Sequence, residues 1–401
     1  MGNTSIVRGM KMREVVITAA VRTPIGSFGG AFKDLLPSQM IVPVLEEIVE
    51  RGRLEKTEVN EIILGQCIQR TDEPNIARTS ALLAGFPYET TGYTIQRQCA
   101  SGLQAIISGA MQIQLGYADI VITGGVEVMS SSPYLLKQHR WGSRLQHGEV
   151  TDSVWEILKD PILQIMMGET AENVAEQFSI SRDEQDELAK LSHSRALEAI
   201  EAGKFTQEIV PIKTKIGKNE MITSRDEGPK EIKSEKLAAL PTIFRENGTV
   251  TAGNSSSLND GAAALLLMSK DEAIKRGLPI LAKISHHTVV GVDPKVMGIG
   301  PVPAIQKGLH SLNWKLDEID ILEVNEAFAA QYLAVEKELK LNRDKVNKNG
   351  SGISLGHPIG CTGSRIVVSL LYEMEREQAK KGLASLCVGG GMGFALFLER
   401  K

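Results

Sequence analysis

Asp119-Ile120-Val121-Ile122-Thr123-Gly124-Gly125 is an apolar run closed by two glycines, and its reading decides the fold. A short apolar run bounded by turn residues spells a strand buried on both faces. The pattern returns near the other end, where Leu383-Ala384-Ser385-Leu386-Cys387-Val388 runs into Gly389-Gly390. Each run follows a helical stretch that opens on a small residue and a glycine. After Ser101-Gly102, residues Leu103, Ile106, Ile107, Ala110 and Ile113 share one helical face; after Thr362-Gly363, Ile366, Val367, Leu370 and Leu371 do the same. The repetition predicts two related α/β halves, each with a mixed sheet.

Working outward, Val15 to Ala20 and Glu61 to Gly65 read as further strands of the first half, with a helix over Ile41 to Val49. In the second half, Ile280 to Ser285 and Ile319 to Val324 read as strands, and Val302 to Leu309 as a helix. Between the halves the character changes. Ser130-Ser131-Ser132-Pro133, Lys137-Gln138-His139-Arg140 and the stretch from Lys213 to Lys236 are polar and charged. Ser181-Arg182-Asp183-Glu184-Gln185 signals a helix start within this region. The division is therefore a first half over residues 12–128, completed by 259–279, an inserted loop domain over 129–258, and a second half over 280–401. An insert of that length needs its own structure and suggests a binding role.

A chain of 401 residues can bury a full core. A net charge of −4 with 23 % charged residues argues against a partner that is a nucleic acid or an anionic membrane. The four cysteines are widely spaced and show no CxxC pair, so neither a metal site nor a disulfide framework is expected. A reducing, cytoplasmic setting follows. The basic leader Arg8-Lys11-Arg13 is too short for a transit peptide, Met12 is a candidate start, and no apolar run reaches membrane-spanning length.

Three glycine-embedded residues carry the chemistry. Cys99, in Arg97-Gln98-Cys99-Ala100-Ser101-Gly102, sits where a helix begins. Helix N-termini favour a thiolate, so its pKa is expected to fall from near 8.5 by roughly one to several units. His357, in Gly356-His357-Pro358-Ile359-Gly360, projects from a loop stiffened by proline and is a candidate base for that thiol. Cys387 ends a strand before Gly389-Gly390-Gly391, whose unobstructed N–H groups suit an oxyanion. A second thiol there suits proton work at a substrate α-carbon. Taken singly, each residue has a plain structural reading: a core cysteine, a histidine satisfied by a carbonyl, a tight turn. Asn325, in Asn325-Glu326-Ala327-Phe328-Ala329, can hold a water for an oxyanion or serve as a helix N-cap, and Phe328 can wall a pocket.

These motifs resemble the thiolase family. The resemblance runs from Ala20-Val21-Arg22-Thr23-Pro24-Ile25-Gly26 to Gly389-Gly390-Gly391-Met392-Gly393. It takes in Gly125-Val126-Glu127-Val128-Met129-Ser130, Thr251-Ala252-Gly253-Asn254-Ser255-Ser256 and His357 to Gly363. It implies a five-layer αβαβα fold built from two halves plus the inserted loop domain, assembled as a homotetramer or at least a homodimer. It implies that Cys99 is acylated, that His357 activates it and that Cys387 moves the α-proton. One oxyanion site would use His357 with a water on Asn325, the other the N–H groups of Cys99 and Gly389. Met167, Ser256 and Phe328 match positions near the pantetheine arm of coenzyme A. The substrates implied are acetyl-CoA, acetoacetyl-CoA and CoA, with no separate cofactor and no metal.

Two positions depart from the family pattern. Met166-Met167 stands where biosynthetic members often have His before the pocket Met, which leaves a longer-chain 3-ketoacyl-CoA thiolase as the alternative. Lys230, in Asp226-Glu227-Gly228-Pro229-Lys230, replaces an Arg of the region that meets the adenine end of CoA; a phosphate contact and a solvated charge are both open.

Overall fold

A computed structural model describes residues 12–145, 147–216 and 219–400. Arg8 and Lys11 of the basic leader lie outside the described residues. Nine strands form the main sheet: β1 (Val15–Arg22), β2 (Glu61–Gly65), β3 (Thr91–Ile95), β4 (Ile120–Val128), β5 (Asn259–Ser269), β6 (Ala282–Gly291), β7 (Ile321–Val324), β8 (Lys381–Val388) and β9 (Met392–Glu399). Their order is β7-β8-β9-β6-β1-β5-β4-β2-β3, with the two-residue strand Gly26–Ser27 also pairing on β5.

The two halves share one topology. In the first, β2 runs parallel to β4, β4 antiparallel to β5, and β5 antiparallel to β1. In the second, β7 runs parallel to β8, β8 antiparallel to β9, and β9 antiparallel to β6. Even the irregularities correspond: the register slips after Ile17 in β1 and after Ile284 in β6, the third residue of each strand. Such a bulge bends a strand and strengthens its twist. Edge to edge, the halves pair through Val16 with Lys283 and Ile17 with Ala282.

Side chains alternate across a strand, so each strand serves two layers. Val121 points to a central cluster, while Ile120 and Ile122 point to an outer one. The central layer holds the helices Ser101–Leu115 and Ile359–Arg376, whose Leu103, Ile106, Ile366, Val367 and Leu370 interlock. Outside the first half lies Pro37–Arg51, started by Pro37 and burying Met40, Ile41, Val44, Leu45 and Ile48. Outside the second lie Pro301–Leu312 and Ala329–Leu339. Helix, sheet, helix, sheet and helix are the five layers expected. The strand expected from Ile280 begins at Ala282, and the helix expected at Thr362 begins at Ile359, because Pro358 caps it.

The polar insert occupies the connection from β4 to β5, where the second half has only the turn Gly389 to Gly391 between β8 and β9. It contains the helices Met167–Gln177 and Arg182–Glu201. The second starts as its sequence signals, with Ser181 and Glu184 bonded reciprocally as a capping box. Buried Arg22, at the end of β1, bonds Glu208 at 2.6 Å and Asp226 at 2.7 and 3.0 Å, which ties the insert to the core. Among the described residues no helix is long and apolar enough to cross a membrane.

Candidate active site

Cys99 lies two residues before its helix, in a turn that leaves β3. Gln98 takes a left-handed backbone, φ +46°, and Ser101 holds the turn from both sides. Its Oγ accepts the Arg97 N–H at 2.8 Å and donates to the Gln98 carbonyl at 2.7 Å. A non-glycine residue in that region stores strain, which a well-tied turn can hold. The helix start sits directly on β2, since a Cβ at Gly65 would overlap the backbone of Ser101 and Gly102.

The expected fall in the Cys99 pKa is not what the structure gives. Burial pushes the thiol up to about 11, against the lowering influence of its own N–H and that of Gly389. Loss of solvation outweighs the helix terminus and two donors. The resting group is a thiol, so attack requires a base.

His357 fits that need. Burial, with the nearby Arg365 charge, pulls its pKa down to about 3, which leaves the ring neutral. Its backbone N–H donates to Asn259 Oδ1 at 2.9 Å, and its Nδ1 lies 2.7 Å from Thr362 Oγ1. Nε2 is buried without a protein partner. The loop carrying His357 packs on the start of the Cys99 helix: the Gly360 carbonyl and Ser364 close on Gly102, and a Cβ at Gly363 would overlap Leu103. Both helix starts, and the residues just before them, meet at one end of the central layer.

Cys387, next to last in β8, is 1 % exposed and packs with Met297, Ala327, Phe328 and Met167. Burial and the neighbouring Cys99 raise its pKa, so it too rests as a thiol. Gly390 and Gly391, with φ of +80° and +82°, make the turn that follows Gly389, whose N–H lies near enough to favour the Cys99 thiolate. Met167 Sδ sits 3.4 Å from where a Cβ of Gly389 would be, so the insert reaches this turn.

Asn325 is fully buried, and neither its amide nitrogen nor its oxygen has a protein partner. Its side chain is not an N-cap; the next helix begins at Ala329, after Phe328. Phe328 meets Phe244 edge-on, ring centroids 6.3 Å apart, and the Ser256 N–H bonds the Ala327 carbonyl at 2.9 Å. Lys230 stands apart. Its side chain is exposed and its backbone N–H reaches His193 Nδ1 at 3.3 Å. Thr362 and Asn259, which hold His357, were not singled out by sequence; a hydroxyl five residues after a candidate base, on the helix it precedes, is the signal that points to the first.

The arrangement offers a thiol beside a glycine turn, a neutral imidazole whose Nε2 has no protein partner, a second thiol and an unpartnered amide. Comparison with known proteins agrees with the fold. Residues 15–271 match the thiolase N-terminal domain and residues 278–400 the thiolase C-terminal domain. The chain is 44 % identical to an acetyl-CoA acetyltransferase of Syntrophomonas wolfei, over 96 % of this chain and 99 % of that one. Its structure is similar to the acetyl-CoA acetyltransferase of Bacillus anthracis, with a TM-score of 0.96 and 63 % identity over 98 % of this chain and 100 % of that one. It is also similar to human mitochondrial 3-ketoacyl-CoA thiolase in complex with CoA, with a TM-score of 0.94 and 40 % identity over 98 % and 99 % of the two chains. Matched in sequence and in fold along nearly its whole length, the chain belongs to the thiolase family.

Proposed function

We propose that this thiolase condenses two acetyl-CoA molecules into acetoacetyl-CoA and CoA, and runs the reverse thiolysis, through an acetyl-Cys99 intermediate. The observation that carries the reading is the meeting of the Cys99 turn with the His357 loop, which closes on Gly102, and with Cys387 and its glycine turn, near enough for Cys99 to raise the Cys387 pKa. Neutral His357 takes the Cys99 proton as sulfur attacks the thioester carbonyl, and returns a proton to the departing CoA sulfur. Charge developing on the oxygen is met by fixed N–H donors. Cys387, itself a thiol at rest, passes its proton to the freed His357 ring and as a thiolate takes an α-proton from the second acetyl-CoA. The resulting carbanion attacks the acyl-enzyme, and Cys99 leaves as a thiolate that regains its proton from His357. A second oxyanion site is assigned to His357 with a water on Asn325. Met167, Ser256 and Phe328 line the pantetheine path, residues 129–258 hold the nucleotide end of CoA, and Lys230 is an exposed charge available to a phosphate. CoA thioesters are substrates, and no further cofactor enters the scheme.

Assembly as a homotetramer, and a cytoplasmic setting, belong to the same reading. Tyr134–Leu135 pairs with Thr151–Asp152 at the base of an arm that carries Trp141, 93 % exposed. An exposed indole on an extended arm suits an inter-subunit contact. Four unpaired cysteines suit a reducing compartment.

Cys99→Ser tests the intermediate. Transfer of radioactive acetyl from acetyl-CoA to the protein falls to background in this variant, and undiminished labelling overturns the assignment. Met166-Met167 favours one second reading, degradation of longer 3-ketoacyl-CoA chains. Thiolysis rates on acetoacetyl-CoA and on a long-chain 3-ketoacyl-CoA separate the two.

A further inference from the structure

We propose that Glu127 is a positioning residue for this reaction, clamping the loop that carries His357 to the segment that supports Cys99. The inference rests on the acyl-transfer reading above. Glu127 lies near the end of β4, 1 % exposed, and among the described residues no cation bonds its carboxylate. Its Oε2 accepts the backbone N–H of Cys67 at 2.8 Å and of Gly360 at 2.9 Å, and its Oε1 accepts that of Ile68 at 3.2 Å. Gly360 belongs to the His357 loop. Cys67 Sγ touches Ser101 Oγ at 3.6 Å, and Ser101 holds the Cys99 turn. One carboxylate thus joins the supports of base and nucleophile. The fit is close on both sides: a Cβ at Gly125 would overlap the Gly360 carbonyl, and a Cβ at Gly360 would lie 2.6 Å from Glu127 Oε2.

Three N–H donors favour the ionised form, because each bonds a charged oxygen about twice as strongly as a neutral one. Burial nevertheless pushes the Glu127 pKa up to about 7, and Asp260, on the paired strand, pushes the same way. The other titratable groups that face it are the thiols of Cys67, Cys99 and Cys361, all of which rest protonated. Protonation near neutrality therefore loosens the clamp. Activity falls as pH drops through this value, well above the range in which neutral His357 protonates.

The test compares the full-length wild type with Glu127→Gln and Glu127→Asp in the thiolysis of acetoacetyl-CoA. Mass of the intact protein gives the acyl-Cys99 yield, and circular dichroism checks the fold. Wild type should show an acid limb in kcat/KM centred near pH 7. E127Q should lose about 10- to 100-fold in kcat with little change in KM, as misplacement of catalytic groups does. Its profile should be flat across that limb, and its rate should match the acid plateau of wild type. E127D, charged but shorter, should lose rate and keep the limb. An unaltered limb in E127Q overturns the proposal, whatever happens to its melting temperature. Absence of acyl-Cys99 in the wild type overturns the functional reading itself, and the clamp with it.

Discussion

Thr362 fixes the tautomer of His357. Its Oγ1 donates to the Pro358 carbonyl at 2.9 Å, so it can only accept from His357 Nδ1, 2.7 Å away. The ring proton is thereby held on Nδ1, and the lone pair of the unpartnered Nε2 is left to act as base. A base must present the correct nitrogen before its pKa matters.

Thr362→Val removes that acceptor while nearly keeping the shape. The rate of Cys99 acylation in a rapid-quench measurement should fall by about 10²-fold, the scale of a lost general base. A buried N–H left unpaired should also cost about 1–3 kcal/mol of stability. Thr362→Ser should restore most of the rate. Equal acylation rates in wild type and T362V would remove the tautomer argument.

Alkylation of the free enzyme reads the Cys99 thiol directly. With its pKa pushed up to about 11 by burial, the thiolate fraction rises as pH rises through the neutral and mildly alkaline range. Iodoacetamide modification, located by peptide mapping, should accelerate about tenfold per pH unit from roughly pH 7 to 10, because only the thiolate reacts. A plateau below pH 8 would instead reveal a thiolate–imidazolium pair in the resting enzyme.

Cys387→Ala separates the two half-reactions. Acetyl-Cys99 should still form, because Cys387 takes no part in the first transfer. Exchange of the acetyl-CoA α-protons with deuterated solvent, followed by NMR, should slow by at least about 100-fold. Undiminished exchange would take the α-proton away from Cys387.

Arg22→Met tests how the insert is held. The substitution leaves Glu208 and Asp226 buried without their shared cation. Stripping one partner from a buried ion pair costs about 3–5 kcal/mol. Urea unfolding should report a loss of that order; a loss under about 1 kcal/mol would mean that solvent reaches the carboxylates.

The paired strands were legible because their apolar runs are short and closed by glycine, and because that pattern occurs twice. The inward periodicity of Leu103 to Ile113 and of Ile366 to Leu371 likewise placed two helices without reference to neighbours. The ionisation of Cys99 was not legible. Its position near a helix start predicts a lowered pKa, yet the surrounding protein removes more solvation than the helix returns. Glu127 reads as one more residue in a glycine-rich motif until Gly360 and Cys67 are seen on either side of it.

Local pattern, then, determined what this chain could settle alone: the strands marked by short apolar runs, the two central helices, and the recurrence of one strand-and-glycine pattern in each half. Thr91–Ile95, Asn259–Ser269 and Met392–Glu399 emerged as strands only in the folded sheet. Tertiary structure decided which nitrogen of His357 is free, that Cys99 rests protonated, and which carboxylate braces the two helix starts. The reason is physical. Periodicity and turn preference act over a few neighbours along the chain, whereas solvation and hydrogen-bond partnership depend on segments that only folding brings together.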